Sequence, residues 1–173
     1  MNLKNATTEA LTAELDDRQV LAERLRELYA LVDGVPSVRF SMSSWRRNPY
    51  GKQRYRVGYV TAVSDEALLT DKDSCGCAVG WACAYPPFIA QGLSFGGLDS
   101  KSPPTQPWFD DLAGIEAAVK FFGLSSGEGY NLFYDVRHIG QKTRFLDRLR
   151  SLMMEKGVIT PARSEELALM PVT

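Results

Sequence analysis

The chain has 173 residues, 45% of them hydrophobic and 24% charged, with a formal net charge of −1. These values fit a single domain over 1–173 with a real core and exclude wholesale disorder. No apolar run approaches the roughly 20 residues that cross a bilayer, and the opening segment has no apolar secretory core, so the expectation is a cytoplasmic protein.

The small net charge conceals an uneven distribution. Residues 35–64 carry six bases (Arg39, Arg46, Arg47, Lys52, Arg54 and Arg56) and no acid, while the segments on either side are acidic. A local excess of this size is a field in its own right. Three cysteines cannot all pair within one chain, and reduced thiols are the simplest account.

In chain order, residues 8–32 read as a helix. Val20, Leu21, Leu25, Leu28, Leu31 and Val32 recur at helical spacing, and Asp33-Gly34 with Pro36 provides the stop. Residues 1–12 are rich in Thr and Ala and are expected to fray. Val38–Met42 and Arg54–Val63 favour β-structure and flank a turn-rich Asn48–Lys52, which predicts a small β-hairpin near 37–63.

Cys75–Ala84 reads as a helix capped by Asp73 or Ser74 and broken at Pro86-Pro87, with one further turn over Phe88–Gln91. Residues 92–107 hold three glycines and three prolines and read as a long loop. Asp110–Phe122 has an apolar stripe closed by Gly123. Ser125 or Ser126 starts a short helix with Tyr130, Leu132 and Phe133. Asp135–Lys156 is a long helix stopped by Gly157, and Thr160-Pro161 opens a last one. The fold class is therefore mainly α: a helical domain with a core of helices at 17–33, 75–84, 110–122 and 136–156, plus the hairpin near 37–63.

Two segments are candidates for chemistry. The run Asp73–Ala84 contains Cys75, Cys77 and Cys83, but the spacing is C-x-C-x5-C and the only histidine, His138, lies far downstream. Zinc sites use paired knuckles, and redox pairs use C-x-x-C after a strand. The small residues Gly76, Ala78, Gly80, Ala82 and Ala84 instead fit close helix packing anchored by Trp81. No metal or cofactor is expected. Nucleophilic catalysis would have to rely on His138 alone, and Asp110-Asp111 is accounted for as acid at a helix start. No catalytic residue is assigned, and the reading is non-enzymatic.

The second candidate is the basic-aromatic segment: Trp45, Arg46, Arg47, Tyr50, Lys52, Arg54, Tyr55 and Arg56. Cations beside flat rings suit phosphates and bases, and they equally suit a protein contact, where arginine and aromatic residues concentrate binding energy. The sequence pI near 5.9 is far below that of a dedicated nucleic-acid binder.

The chain also resembles a loose family of small proteins encoded in bacteria and their phages. That family runs F-x-M-x-x-W, then C-G-T-x-x-C-x-x-G-W-A, then A-x-x-x-L-G-L-S and L-F. Phe40, Met42 and Trp45 match the first segment, and Cys77–Ala82 (C-A-V-G-W-A) matches the end of the second. Ala118–Ser125 and Leu132-Phe133 match the rest, so the resemblance covers about 40–135. The chain departs from the pattern where its C-G, Cys75-Gly76, directly precedes Cys77. The resemblance implies a helical fold of phage or mobile-element origin and implies no reaction. The resulting expectation is an accessory protein acting through a protein partner, of host or phage, on the 45–59 segment, possibly aided by the 92–107 loop. The alternatives are a nucleic-acid-binding accessory protein using the same segment and a virion component.

Overall fold

The computed structural model describes residues 3–48, 63–96, 105–134 and 140–169, with side chains from residue 13 to residue 167. Helix α1 (Leu3–Gly34) is the longest element, and its second half carries a buried stripe of Leu25, Leu28, Tyr29 and Val32. That stripe follows the 3.6-residue period read from the sequence. It packs against α3 (Ala78–Ala82) and α7 (Gln141–Glu155).

Around α1 the remaining helices follow in order: α2 (Asp65–Thr70), α4 (Pro86–Ile89), α5 (Gly114–Phe121), α6 (Ser126–Phe133) and α8 (Pro161–Leu169). Their ends obey local chemistry. Ser125 and Glu128 form a reciprocal capping box at α6, and the Thr160 hydroxyl accepts from the Arg163 amide at 3.3 Å ahead of Pro161. Gly157 closes α7 with φ +67°, a left-handed conformation that glycine adopts without a Cβ penalty. Phe88, Phe121 and Phe122 meet edge to face at the centre of one continuous apolar cluster.

The β-structure differs from expectation in three places. Residues 37–39 form a 3-10 turn rather than a strand, because Arg39 N and Phe40 N bond back to Pro36 O and Ser37 O. Phe40 then makes a single bridge to Gly76. The Arg54–Val63 arm of the expected hairpin lies outside the described residues except for Val63.

The described residues also hold a two-residue ladder. Strand β1 (Arg46-Arg47) runs antiparallel to β2 (Cys75-Gly76). The 92–107 segment, expected as a loop, supplies β3 (Ser94–Gly96), which pairs with β4 (Gln106–Phe109); residues 97–104 between them are not described.

Strand β4 turns back into β5 (Leu112-Ala113) through Asp110-Asp111, both at positive φ (48° and 64°). Two such residues between paired strands make the mirror-image turn that matches strand twist, and aspartate tolerates that conformation. The helix expected from residue 110 therefore begins at Gly114, and the two acids form a turn rather than a helix start. Asp110 pairs there with Lys120. Two further differences are local: α2, capped by Ser64, was not expected, and α3 is capped by Cys77 rather than by Asp73 or Ser74.

Candidate interaction site

The basic-aromatic segment enters the described structure through Trp45, Arg46 and Arg47. Residues Tyr50, Lys52, Arg54, Tyr55 and Arg56 lie outside the described residues. Strand β1 holds Arg46 and Arg47, with Trp45 just ahead of it, and the alternation of a strand decides which way the two arginines face. Arg47 is exposed, and its Nε donates to the Cys75 sulfur at 3.3 Å. Arg46 points inward and is only 1% exposed.

The burial of Arg46 is compensated by several contacts. Its Nε donates to Gly80 O at 2.8 Å, and Nη1 pairs with the carboxylate of Asp65 at the start of α2. Its guanidinium lies 4.1 Å from the centre of the Phe95 ring in β3, a cation–π contact. Arg46 therefore joins the stem of the basic segment to the stem of the 92–107 segment. The two stretches nominated separately from sequence meet at this residue. Just below them, Thr105 N donates to Gly96 O at 2.8 Å and closes the second stem.

Glycine makes this approach possible. A Cβ on Gly80 would lie 1.8 Å from the carbonyl oxygen of Trp45, and a Cβ on Gly76 would lie 2.8 Å from the same atom. That carbonyl accepts from Cys77 N at 3.1 Å, while Trp45 itself is half-buried against the core. The small-residue run thus serves as the floor on which the segment sits.

Arg39 is also turned to internal use. It donates to the carbonyls of Ser74 (3.0 Å), Asp71 (3.0 Å) and Leu68, and it stacks 4.9 Å from the Trp81 ring centre. Asp71 in turn accepts from the Asp73 amide, the Ser74 hydroxyl and Asn48. These bonds, the Asp73 amide foremost, hold its carboxyl below the usual range. The resulting network fixes Asn48, the last described residue before the remainder of the basic segment.

The three thiols are buried and unpaired. Cys77 Sγ accepts from Gly80 N at 3.4 Å as the cap of α3. Desolvation pushes the Cys77 thiol up to about 11 and raises that of Cys83 further, so both are neutral and poor nucleophiles at pH 7. Among the described residues no group of three or more His, Cys, Asp or Glu is placed to hold a metal; His138 lies outside them. Gly127 and Gly129 fall inside α6, and Gly129 gives room to Val119. None of the described helices is long and apolar enough to cross a membrane.

Sequence reasoning missed Phe95, Asp65 and Gly80 as members of this site. Gly80 left a trace as the small residue before Trp81. Phe95 and Asp65 left none, because their link to Arg46 spans distant parts of the chain. Comparison with family models, curated proteins and solved structures finds no match for the chain.

Proposed function

We propose that the chain is a non-enzymatic accessory protein of phage or mobile-element type that acts by binding another protein through the 45–59 segment together with the 92–107 segment. The observation that carries this reading is the Arg46–Phe95 contact, which clamps the stems of both segments to one place. Two segments whose stems are anchored at one place suit protein recognition, where a few arginine and aromatic anchors dominate affinity. The phage or mobile-element origin rests on the motif resemblance over 40–135.

The same geometry weighs against nucleic acid as the ligand. Of the six bases in 35–64, Arg39 is spent on backbone carbonyls and Arg46 on Asp65. The positive field available to phosphates is therefore smaller than the sequence implies, and phosphate contacts dominate such affinity.

The test compares wild type with the Lys52→Glu/Arg54→Glu/Arg56→Glu variant in two assays: affinity capture from host lysate followed by mass spectrometry, and a gel shift with single- and double-stranded DNA at low salt. A specific protein captured by wild type and lost in the variant, with no gel shift, supports the reading. A shift that falls steeply with salt and disappears in the variant overturns it in favour of nucleic acid. Recovery of the chain in purified particles would instead make it a virion component.

A further inference from the structure

Helices α5 and α6 pack against each other where Gly129 admits Val119; a Cβ at Gly129 would lie 2.2 Å from Val119 Cγ2. Beside this contact lies an open groove of about 500 Å³. Leu112, Ile115, Val119 and Leu124 give it an apolar floor. The exposed Glu116, Lys120, Ser126 and Tyr130 form its rim. A concave apolar surface edged by a few polar groups is the usual form of a binding site.

The tyrosine on this rim belongs to an unfinished stack. Ser126, Tyr130 and Tyr134 are spaced four residues apart and form one ridge along α6 and its C-cap. Side chains of a helix lean toward its N-terminus, so each covers the position one turn earlier. The Tyr134 ring accordingly stacks on that of Tyr130, with centroids 4.5 Å apart and planes 6° from parallel. One turn before Tyr130, Ser126 offers only a hydroxymethyl group, which cannot cover a ring. One face of Tyr130 is thus left bare, and the residue is 58% exposed. Tyr130 lines the groove and Tyr134 does not, so the bare face belongs to the groove.

The charges around the groove are not balanced within the chain. The Lys120 ammonium pairs with Asp110, in the turn between β4 and β5. Glu116 and Asp111 are exposed and have no ion-pair partner among the described residues. Asp111 directly precedes Leu112 of the floor. The groove therefore combines an apolar floor, a bare aromatic face and an excess of negative charge. Arginine matches all three: its stem covers apolar surface, its planar guanidinium stacks on tyrosine, and its fork of donors pairs with a carboxylate. We infer that the groove receives an arginine from a basic segment of a partner protein. Its guanidinium lies on the bare face of Tyr130 and pairs with Glu116 on the opposite wall. The groove is built from residues 112–130, so this contact is additional to the one on the 45–59 and 92–107 segments.

The test is a titration of the full chain, followed by amide NMR, with the acetylated and amidated peptide G-L-R-L-G. Saturable shifts of the amides around the groove are expected. They weaken as salt is raised, and peptides with glutamine or glutamate in place of the arginine do not produce them. Glu116→Gln and Tyr130→Leu each raise the peptide Kd about two- to fivefold, whereas Tyr130→Phe keeps the ring face and binds as wild type does. Both positions are exposed, and unchanged far-UV circular dichroism checks that the variants fold. The peptide series on wild type needs no variant at all. Absence of saturable shifts with the arginine peptide overturns the inference. So does equal binding of the glutamine peptide, which would make the groove merely apolar, or an unchanged Kd in both Glu116→Gln and Tyr130→Leu. Groove shifts that depend on protein concentration without peptide would assign the groove to a second copy and overturn it too. These outcomes are independent of the partner-capture assay.

Discussion

The ammonium of Lys142 donates to the backbone carbonyl of Asp33 at 2.7 Å, joining the end of α1 to the first turn of α7. The side chain is 3% exposed, and its stem lies in the core while the cation meets the negative end of the α1 dipole. Desolvation lowers its pKa from the ordinary lysine value. Lys142→Met fills a similar volume and leaves the carbonyl without this donor. A loss of about 1–3 kcal/mol is expected, measured as a shift of the urea midpoint at constant m-value.

Arg46 and Arg47 are neighbours with opposite consequences. Arg46→Ala opens a space beneath Phe95 and removes the donor to Gly80 O, for an expected loss of about 3 kcal/mol or more. Arg47→Ala, on the exposed side of β1, should stay within about 0.5 kcal/mol. Equal effects in thermal unfolding would contradict the inward placement of Arg46.

Two helical glycines should respond to alanine with opposite signs. Helix propensity alone favours alanine at both by about 1 kcal/mol. At Gly127 nothing lies within 4 Å of an added Cβ, so Gly127→Ala should stabilise by about 0.5–1 kcal/mol. At Gly80 the Cβ would enter the Trp45 carbonyl, which is backbone and cannot rotate away. Gly80→Ala should therefore destabilise by about 4 kcal/mol or lose the fold altogether. Expression yield and melting temperature distinguish the two.

The capping box of α6 predicts acid sensitivity. Lys156 Nζ lies 2.9 Å from the Glu128 carboxylate, and the Ser125 amide donates to it at 2.7 Å. The bond from Lys156 contributes most, followed by the Ser125 amide, and together they hold the Glu128 carboxyl below its ordinary value. The folded value is thus the lower one. The stabilisation, about 1 kcal/mol, is present above the unfolded value near 4.3 and is lost as pH falls through the folded value. Glu128→Gln should flatten the stability profile over that window, as read by urea denaturation at a series of pH values.

What could be read from sequence followed the range of the responsible forces. The ends of α1, α6, α7 and α8 were legible because Asp33-Gly34, the Ser125-Ser126 pair, Gly157 and Thr160-Pro161 act on their own few residues. Strand β1 was not, since Arg46-Arg47 pairs with Cys75-Gly76 across more than twenty-five residues and is too short for any alternation to register. Asp110-Asp111 misled because acidic residues suit both a helix start and a left-handed turn, and the pairing of Trp108 with Ala113 decided between them. Helix α2 does carry a local signal, Ser64 followed by Asp65 and Glu66. In the candidate site, composition singles out the basic segment only as a run of residue types. Which of its arginines turn inward depends on Gly80, Asp65 and Phe95, and no local pattern encodes that.

The Lys142–Asp33 bond also sets a timetable. Its two ends are separated by 109 residues, so on a ribosome adding about 5–20 residues per second, roughly 5–20 s pass after Asp33 is made before its partner exists. Throughout that interval the Leu25, Leu28 and Val32 face of α1 has no α7 to cover it. A nascent chain of this kind has reason to engage a chaperone, or a neighbouring nascent copy, while synthesis is still under way.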